Sequence, residues 1–173
     1  KRLDYRWLDL RNPKNSLVIK VGSTAENSMR KFLLEKGFIE IHSPKIMSAP
    51  SESGAELFEV KYFKRKAYLA QSPQFYKQLA IAAGFEKVFE IGPVFRAEES
   101  KTSRHTTQFD SFDVELANVS SEEDIMQFQE NLIVNTFKKI KETHGDEIKK
   151  HYGFEVSVPK TPFPRMTMQE AIE

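Results

Sequence analysis

The chain has 173 residues and a mass of 20.0 kDa, enough for one domain with a hydrophobic core or for part of a larger one. Apolar residues make up 39% of the sequence and aromatic residues 12%, which excludes wholesale disorder. The net charge of +1 excludes binding of nucleic acid or anionic membrane through bulk charge alone, so any nucleic-acid contact must be local.

The first predicted element is a long amphipathic helix over residues 16–36. Its apolar residues recur at helical spacing, and Gly37 follows as a C-cap. Residues 38–41 then form a short β-prone run that Pro44 interrupts. Because proline cannot donate to a strand ladder, this run is predicted to be an edge strand or an extended interface segment rather than a central strand.

A β-hairpin and a second helix come next in the chain. Two β-prone runs, residues 57–63 and 67–69, flank the basic residues 64–66, which predicts a hairpin with a charged tip. A helix is predicted over residues 74–83, where Gly84 closes it.

Two longer strands and another long helix follow. The strands are predicted at residues 88–96 and 108–117, with a polar loop between them. Ser120 and Glu123 have capping-box spacing at the start of the helix, which we expect to end near Gly145.

A further helix is predicted at the C-terminal end of the sequence. Thr167 and Glu170 again have capping-box spacing. A helix of one or two turns does not persist alone, so we expect this chain to be a fragment. The order of elements predicts an α+β fold in which an antiparallel sheet is flanked by helices.

The composition and the missing motifs argue against several classes of protein. Cysteine is absent, so there is no disulfide framework, thiol nucleophile or Cys-ligated zinc. No apolar stretch approaches the roughly 20 residues that cross a bilayer, so we expect no membrane contact and a cytoplasmic protein. The sequence contains no P-loop and no dinucleotide-binding glycine motif.

The segment with most chemical information lies between residues 88 and 115. Residues two apart share a strand face, so Arg96 and Glu98 project together, as do Asp113 and Glu115 on the returning strand. We therefore expect four charges to cluster on one sheet face. The alternative interpretation is a hairpin with cross-strand ion pairs and a solvated basic loop.

The loop between these strands carries groups suited to a nucleotide. An arginine on a rigid strand can hold phosphate oxygens in bidentate fashion, and loop cations can neutralise a polyphosphate. An aromatic ring at the base of the loop can stack on a purine. The residues concerned are Lys101, Arg104, His105 and Phe109.

These residues carry a family resemblance. Phe95-Arg96-Ala97-Glu98, the loop with Arg104 and His105, and Phe109 resemble motif 2 of the class II aminoacyl-tRNA synthetases. The whole chain is similar to the catalytic domain of the aspartyl-tRNA synthetases of archaeal and eukaryotic type. Residues 37–44 resemble motif 1, whose proline, here Pro44, lies at the dimer interface in that class. Residues 71–78 resemble the segment that recognises the amino acid.

The resemblance implies a role for each site residue. It makes Arg96 the catalytic residue that holds the α-phosphate. The residues implied in ATP binding are Arg96, Glu98, Arg104, His105 and Phe109. The residues implied in aspartate binding are Ser51, Glu52, Gln74, Lys77 and Asp113. It also implies that residues 1–173 form part of a catalytic domain, with motif 3, most Mg²⁺ ligands and the anticodon-binding domain outside them.

The implied function is an aspartate–tRNA ligase that uses ATP and Mg²⁺. Its partners would be L-aspartate, ATP and tRNA(Asp), and the protein would be a homodimer. The alternatives are an asparaginyl enzyme, for which no lysine is expected at position 77, and a non-catalytic module for dimerisation or RNA binding. Two positions depart from the family pattern, since Gln108 replaces a common glutamate and Ser53 a common glycine.

Overall fold

The computed structural model describes residues 2–51, 57–99, 102 and 105–172. By contacts the chain divides into two compact units, a helical unit of residues 1–32 and 119–173 and a sheet unit of residues 33–118. The elements in chain order are α1 (Arg6–Asp9), α2 (Pro13–Glu35), β1 (Ile39–Glu40), β2 (Ile46–Met47), β3 (Glu59–Tyr62), β4 (Arg65–Leu69), α3 (Gln74–Ala82), β5 (Lys87–Phe95), β6 (Gln108–Leu116), α4 (Glu122–Tyr152) and α5 (Met168–Ile172).

The helical unit is built on packing between α2 and α4. Leu17 of α2, Ile148 of α4 and Val156 form its buried cluster, and each such side chain contributes about 1.5–3 kcal/mol when removed from water. Helix α2 begins three residues before the predicted position. The Asn12 side chain accepts a hydrogen bond from the backbone N–H of Lys14 at 3.0 Å, and Pro13 suits the first helical position.

Both predicted ends of α4 are wrong. The N-cap is Ser121 rather than Ser120, and the Asp124 carboxylate accepts a hydrogen bond from the Ser121 N–H at 3.0 Å. The helix also continues through Gly145 to Tyr152 and ends at Gly153, whose φ is +79°. Burial of Ile148 beyond Gly145 explains this continuation, because tertiary packing outweighs the weak helix propensity of one glycine.

The predicted α+β class is confirmed, with two small sheets in the sheet unit. The first has the strand order β1-β5-β6, and the second has the order β2-β4-β3. β5 and β6 form a nine-residue antiparallel ladder, and the pairs of the second sheet are also antiparallel. One pair differs from the expectation, because β1 lies parallel to β5 at the sheet edge. The predicted edge position of that strand is confirmed.

The predicted hairpin and the helix before the first long strand are also confirmed. Strands β3 and β4 pair antiparallel up to Tyr62 and Arg65, so the turn is at residues 63–64, and Arg65 and Lys66 belong to the strand rather than to the predicted tip. Helix α3 ends one residue earlier than predicted, and Gly84 follows it with φ +98°. At the C-terminal end, the Thr167–Glu170 capping box is present, with the Glu170 carboxylate 2.7 Å from the Thr167 N–H. None of the described helices is both long and apolar enough to cross a bilayer.

Candidate active site

The site is built on one face of the β5–β6 ladder and on helix α3. Residues 109, 111, 113 and 115 alternate along β6 and therefore share a face. Lys77 of α3 contacts this face at Asp113 and Glu115, and the Arg96 guanidinium contacts it at Phe109. The structure thus brings predicted amino-acid and ATP residues to the same face of one sheet.

Lys77 is the most constrained of the predicted site residues. Only 4% of it is exposed, yet its ammonium lies 3.2 Å from the Asp113 carboxylate and 3.3 Å from that of Glu115. The same ammonium donates to the backbone carbonyl of Val114 at 3.4 Å. Burial of an unpaired ammonium costs several kcal/mol. These three acceptors therefore stabilise the buried charge of Lys77.

Two carboxylates around one ammonium leave this cluster with an excess negative charge. Both carboxylates are partly accessible, at 18% for Asp113 and 26% for Glu115. A ligand that carries both an ammonium and a carboxylate can pair with both signs of charge at once. The Asp113 carboxylate is also fixed by a hydrogen bond of 2.5 Å from the Ser111 hydroxyl.

Gln74 lies one turn before Lys77, as the sequence predicted. Its side-chain amide is 3.5 Å from the Glu115 carboxylate, which places it at the edge of the same cluster. The Ser72 hydroxyl accepts from the Gln74 N–H at 3.3 Å and holds the first turn of α3 in place. Pro73 is the N-cap residue of this helix.

Ser51 is buried, and its side chain hydrogen-bonds to the backbone of a neighbouring segment. Its hydroxyl accepts a hydrogen bond from the N–H of Ser72 at 3.3 Å. This contact fixes the approach to α3. Contact of Ser51 with an amino acid, which the resemblance implies, stays a prediction. Glu52, also assigned to that pocket, lies outside the described residues, as do Ser53, Lys101 and Arg104.

Arg96 and Phe109 form the other end of the site. The guanidinium carbon of Arg96 lies 5.6 Å from the centre of the Phe109 ring, within range of a cation–π contact. The backbone N–H of Arg96 donates to the carbonyl of Thr107 at 3.0 Å, which extends the pairing beyond the end of β5. Phe109 is 38% exposed, so part of the ring surface is available to a ligand.

Glu98 and His105 lie on the exposed loop beyond this pair. The Thr102 hydroxyl is 2.6 Å from Nδ1 of His105, which fixes the orientation of the imidazole ring. Glu98 forms no hydrogen bond or ion pair with the other described residues. Their assignment to ATP stays a prediction.

The expected cluster of four charges on the sheet face is wrong. The antiparallel register pairs Glu90 with Asp113 and Val94 with Phe109, so Asp113 and Glu115 lie beside the start of β5, whereas Arg96 follows its end. Phe109 and Asp113 are four residues apart, about 14 Å at the usual strand rise. The face therefore has two ends, one anionic around a lysine and the other formed by Arg96 and Phe109.

The sequence interpretation missed two carboxylates. Glu115 pairs with Lys77, but the resemblance implies no role for it; its spacing of two residues from Asp113 is the signal for a shared strand face. Glu90 is 2% exposed and accepts hydrogen bonds from the N–H and hydroxyl of Ser43, at 2.9 and 3.0 Å, and pairs with Lys45. These contacts fasten the loop that carries the exposed Pro44 to strand β5.

Within the described ranges, no group of three or more histidine or acidic side chains is placed to hold a metal ion. The Asp113–Glu115 pair is neutralised in part by Lys77, which makes it a poor site for a divalent cation.

Comparisons with known proteins show the family of the chain. The family described as tRNA synthetases class II (D, K and N) matches residues 1–173. The aspartate–tRNA(Asp) ligase of Pyrococcus abyssi is 48% identical over 99% of this chain and 39% of its own length. The aspartate–tRNA(Asp/Asn) ligase of Methanopyrus kandleri is 46% identical over 99% of this chain and 40% of its own length. The chain thus spans about two fifths of the length of these curated relatives.

Solved structures show the same fold. The asparaginyl-tRNA synthetase of Pyrococcus horikoshii complexed with asparaginyl-adenylate matches with a TM-score of 0.88 and 39% identity, over 99% of this chain and 39% of that one. The aspartyl-tRNA synthetase of Entamoeba histolytica matches with a TM-score of 0.79 and 40% identity, over 99% of this chain and 32% of that one. The chain belongs to the class II tRNA synthetases of the D, K and N group.

Proposed function

We propose that the complete protein carrying this chain is an aspartate–tRNA ligase. It would join L-aspartate to ATP as aspartyl-adenylate and then transfer the aspartyl group to the terminal ribose of tRNA(Asp). The observation that carries this proposal is the buried ammonium of Lys77 between two carboxylates, on the sheet face that also holds Arg96 and Phe109.

At the anionic end, a zwitterion with an acidic side chain fits the charges. The substrate's side-chain carboxylate would take the Lys77 ammonium, and its α-ammonium would lie beside Asp113 or Glu115. Gln74 is close enough to Glu115 to hydrogen-bond the same ammonium, and Glu52 is a further candidate. Because the cluster has excess negative charge, a carboxylate without an accompanying ammonium would be repelled.

At the other end, the resemblance and the geometry both suit a nucleotide. The Phe109 ring would stack on adenine, and the Arg96 guanidinium would hold the α-phosphate and the reacting carboxylate. His105 and Arg104 would neutralise the β- and γ-phosphates, while Glu98 would order the nucleotide. Mg²⁺ would screen the polyphosphate charge, with ligands drawn mostly from outside residues 1–173.

The activation step needs positioning more than proton transfer. The α-carboxylate of aspartate is already ionised at neutral pH, and one of its oxygens would attack the α-phosphorus in line. The bond to the bridging oxygen of the β-phosphate breaks, and pyrophosphate leaves. Residues that align the two reactants and stabilise charge on the phosphoryl oxygens therefore carry catalysis, so Arg96 would be the principal one.

The transfer step releases AMP. A hydroxyl oxygen of the terminal ribose would attack the carbonyl carbon of the adenylate, the bond to the phosphate oxygen breaks, and the hydroxyl proton is lost. The phosphate of AMP that departs is itself a basic group near the attacking hydroxyl. No residue of this chain is required as a base for either step.

Specificity for the amino acid distinguishes this proposal from the asparaginyl alternative. A lysine ammonium gains more from an ionised carboxylate than from a neutral amide, so Lys77 favours aspartate over asparagine. The relatives include ligases named for tRNA(Asp) and for tRNA(Asp/Asn), so discrimination between tRNAs is a separate question. The non-catalytic alternative leaves the charged cluster at Lys77 without a function.

The test is pyrophosphate exchange by the complete protein with ATP and either aspartate or asparagine. We expect exchange that depends on aspartate and is at least tenfold slower with asparagine at equal concentration. Faster exchange with asparagine would establish the asparaginyl alternative, and exchange with neither amino acid would favour the non-catalytic module. Charging of tRNA(Asp) and tRNA(Asn) transcripts then measures the second specificity.

We also infer a homodimer with Pro44 at its interface and a cytoplasmic location. The anchoring of the Pro44 loop to β5 through Glu90 supports a fixed interface, and the absence of cysteine is consistent with a reducing compartment. Sedimentation equilibrium of the complete protein tests the dimer, and fractionation of the source cells tests the location.

A further inference from the structure

The turn between β3 and β4 exposes two aromatic rings at its end. Phe63 is 81% exposed and Tyr62 is 48% exposed. The two rings pack edge to face, with centroids 4.9 Å apart and an angle of 79° between their planes. We call residues 61–66 the hairpin tip.

The backbone of the hairpin tip does not explain the presence of Phe63. Its φ is +52°, in the left-handed region that glycine adopts without strain and that a bulky residue disfavours. A glycine would make this tight turn more readily. The exposed phenyl ring therefore serves something other than the formation of the hairpin.

Four of the six residues of the hairpin tip are basic. The strand register places Lys61 directly opposite Lys66, an arrangement of like charges that weakens a hairpin. Lys66 pairs with Glu59 at 3.1 Å. Within the described ranges, the other basic residues, Lys61, Lys64 and Arg65, form no ion pair. The chain as a whole is nearly neutral, so this is a local concentration of positive charge.

Aromatic rings beside several cations match the chemistry of single-stranded nucleic acid. Tyr62 lies opposite Arg65 in the register, so a ring and a guanidinium share one face, and Phe63 lies at the turn. Unstacked bases can stack on the rings while Lys and Arg contact the phosphates. In a duplex the bases are already stacked on one another, so they are not available to stack on the rings of Tyr62 and Phe63.

We propose that the hairpin tip binds a single-stranded segment of RNA. This rests on the proposed function only for its natural source, which would be an unpaired region of the tRNA substrate. An acidic protein surface would satisfy the cations but would leave the edge-to-face ring pair unexplained. Single-stranded RNA would contact both the rings, through its bases, and the basic side chains, through its phosphates.

The test measures RNA binding by the complete protein through fluorescence anisotropy. The probe is a labelled 12-nucleotide single-stranded RNA of mixed A and C, compared with the same strand in a duplex. Phe63→Gly relieves the turn and removes the ring, and we expect it to weaken single-strand binding roughly five- to hundredfold. Phe63→Trp keeps a stacking surface and should stay within about twofold of the unmodified protein.

A second arm measures binding to the phosphates. The double variant Lys64→Gln/Arg65→Gln should reduce the slope of log affinity against log salt by about 0.7 for each phosphate that is no longer neutralised. The matched controls are Phe154→Gly, which removes another exposed ring that packs against a tyrosine, and Lys20→Gln, which removes another exposed lysine. Neither control should change binding by more than about twofold.

The proposal is overturned if Phe63→Gly binds the single strand as tightly as the unmodified protein. It is also overturned if duplex and single strand bind equally, or if Phe63→Gly changes only self-association in sedimentation, which would make the tip a contact between copies. Aspartate-dependent pyrophosphate exchange needs no RNA. Its failure would therefore reject the proposed function while the binding result still decides the role of the tip.

Discussion

The ammonium of Lys77 lies 3.2 Å from the carboxylate of Asp113 in a place where only 4% of the lysine is exposed. Glu115 supplies a second carboxylate at 3.3 Å. Lysine is among the residues least often buried completely, and a buried ammonium is stable only when it is paired. The cluster thus joins helix α3 to strand β6.

Removal of the two carboxylates should show that they act on one lysine. Asp113→Asn or Glu115→Gln alone leaves Lys77 one charged partner. The double variant leaves its ammonium buried without a counterion, which costs about 3–5 kcal/mol. We therefore expect the loss of unfolding free energy in the double variant to exceed the sum of the two single losses by about 0.5–3 kcal/mol. Urea denaturation of all four proteins measures this cycle, and simple additivity would contradict the shared role.

Arg96 should affect the rate of activation more than the binding of either substrate. We expect Arg96→Gln to reduce the kcat of aspartate-dependent pyrophosphate exchange by roughly a hundred- to a thousandfold, as the loss of one transition-state donor does in other enzymes. Arg96→Lys keeps the charge but loses the bidentate geometry, so it should restore only part of the rate. Phe109→Leu is the contrasting variant, because removal of the stacking ring should mainly raise the KM for ATP. A change confined to KM in Arg96→Gln would reject the assigned role.

Gly145 lies within α4, and replacement by alanine should stabilise the protein. An added Cβ would meet only Lys141, whose Cγ would be 3.7 Å away in ordinary contact. Alanine is better than glycine in a helix by about 0.5–1 kcal/mol. The control is Gly153→Ala, which should destabilise, because φ at that position is +79°. Thermal unfolding of both variants tests the helix boundary directly, and equal effects would contradict it.

The pair of Glu123 with Arg165 should make stability depend on pH in the acid range. Hydrogen bonds from Arg165, and secondarily from Gln127, lower the pKa of Glu123 from 4.5 to about 2. A lowered pKa in the folded state means that the pair stabilises the fold above pH 4.5 and that this contribution is lost as the pH falls toward 2. Glu123→Gln should therefore lower the free energy of unfolding at pH 7. The difference in unfolding free energy between this variant and the unmodified protein should decrease toward zero as the pH falls from 4.5 to 2.

The matched control for this pH dependence is Glu122→Gln at the adjacent helix position, which leaves the ion pairs of Arg165 intact. Urea denaturation at a series of pH values follows both variants. A difference for Glu123→Gln that stays constant from pH 7 down to pH 2 would show that its pKa is not lowered.

The sequence was sufficient to predict the elements whose signals are local. The β3–β4 hairpin and the capping box at Thr167 depend on short-range chemistry, and both are present, although the turn of the hairpin lies at residues 63–64 rather than at 64–66. The end of α4 could not be predicted in this way, because burial of Ile148 against the helical unit carries the helix past Gly145. The predicted start of α4 is one residue too early, because Ser120 with Glu123 and Ser121 with Asp124 both have capping-box spacing.

The candidate site was predictable in its residues but not in its layout. Strand alternation predicted that Asp113 and Glu115 share a face, as they do, but it also predicted that Arg96 and Glu98 join them in one cluster, which is wrong. The separation of the two ends depends on the register of the β5–β6 ladder, which pairs Glu90 with Asp113 and which no single strand encodes. Burial of Lys77 also depends on how α3 packs on β6, so spacing alone would assign it to the solvent.

Calorimetric titration of L-aspartate into the complete protein and its Lys77→Met variant tests the central claim most directly. Methionine keeps the apolar length of the side chain and removes the ammonium. A carboxylate without its charged partner loses about 2–5 kcal/mol of binding, so we expect affinity for aspartate to fall at least 30-fold, with no such change in the control Lys20→Met. Unchanged affinity for aspartate in Lys77→Met would contradict the assignment of this cluster as the amino-acid site.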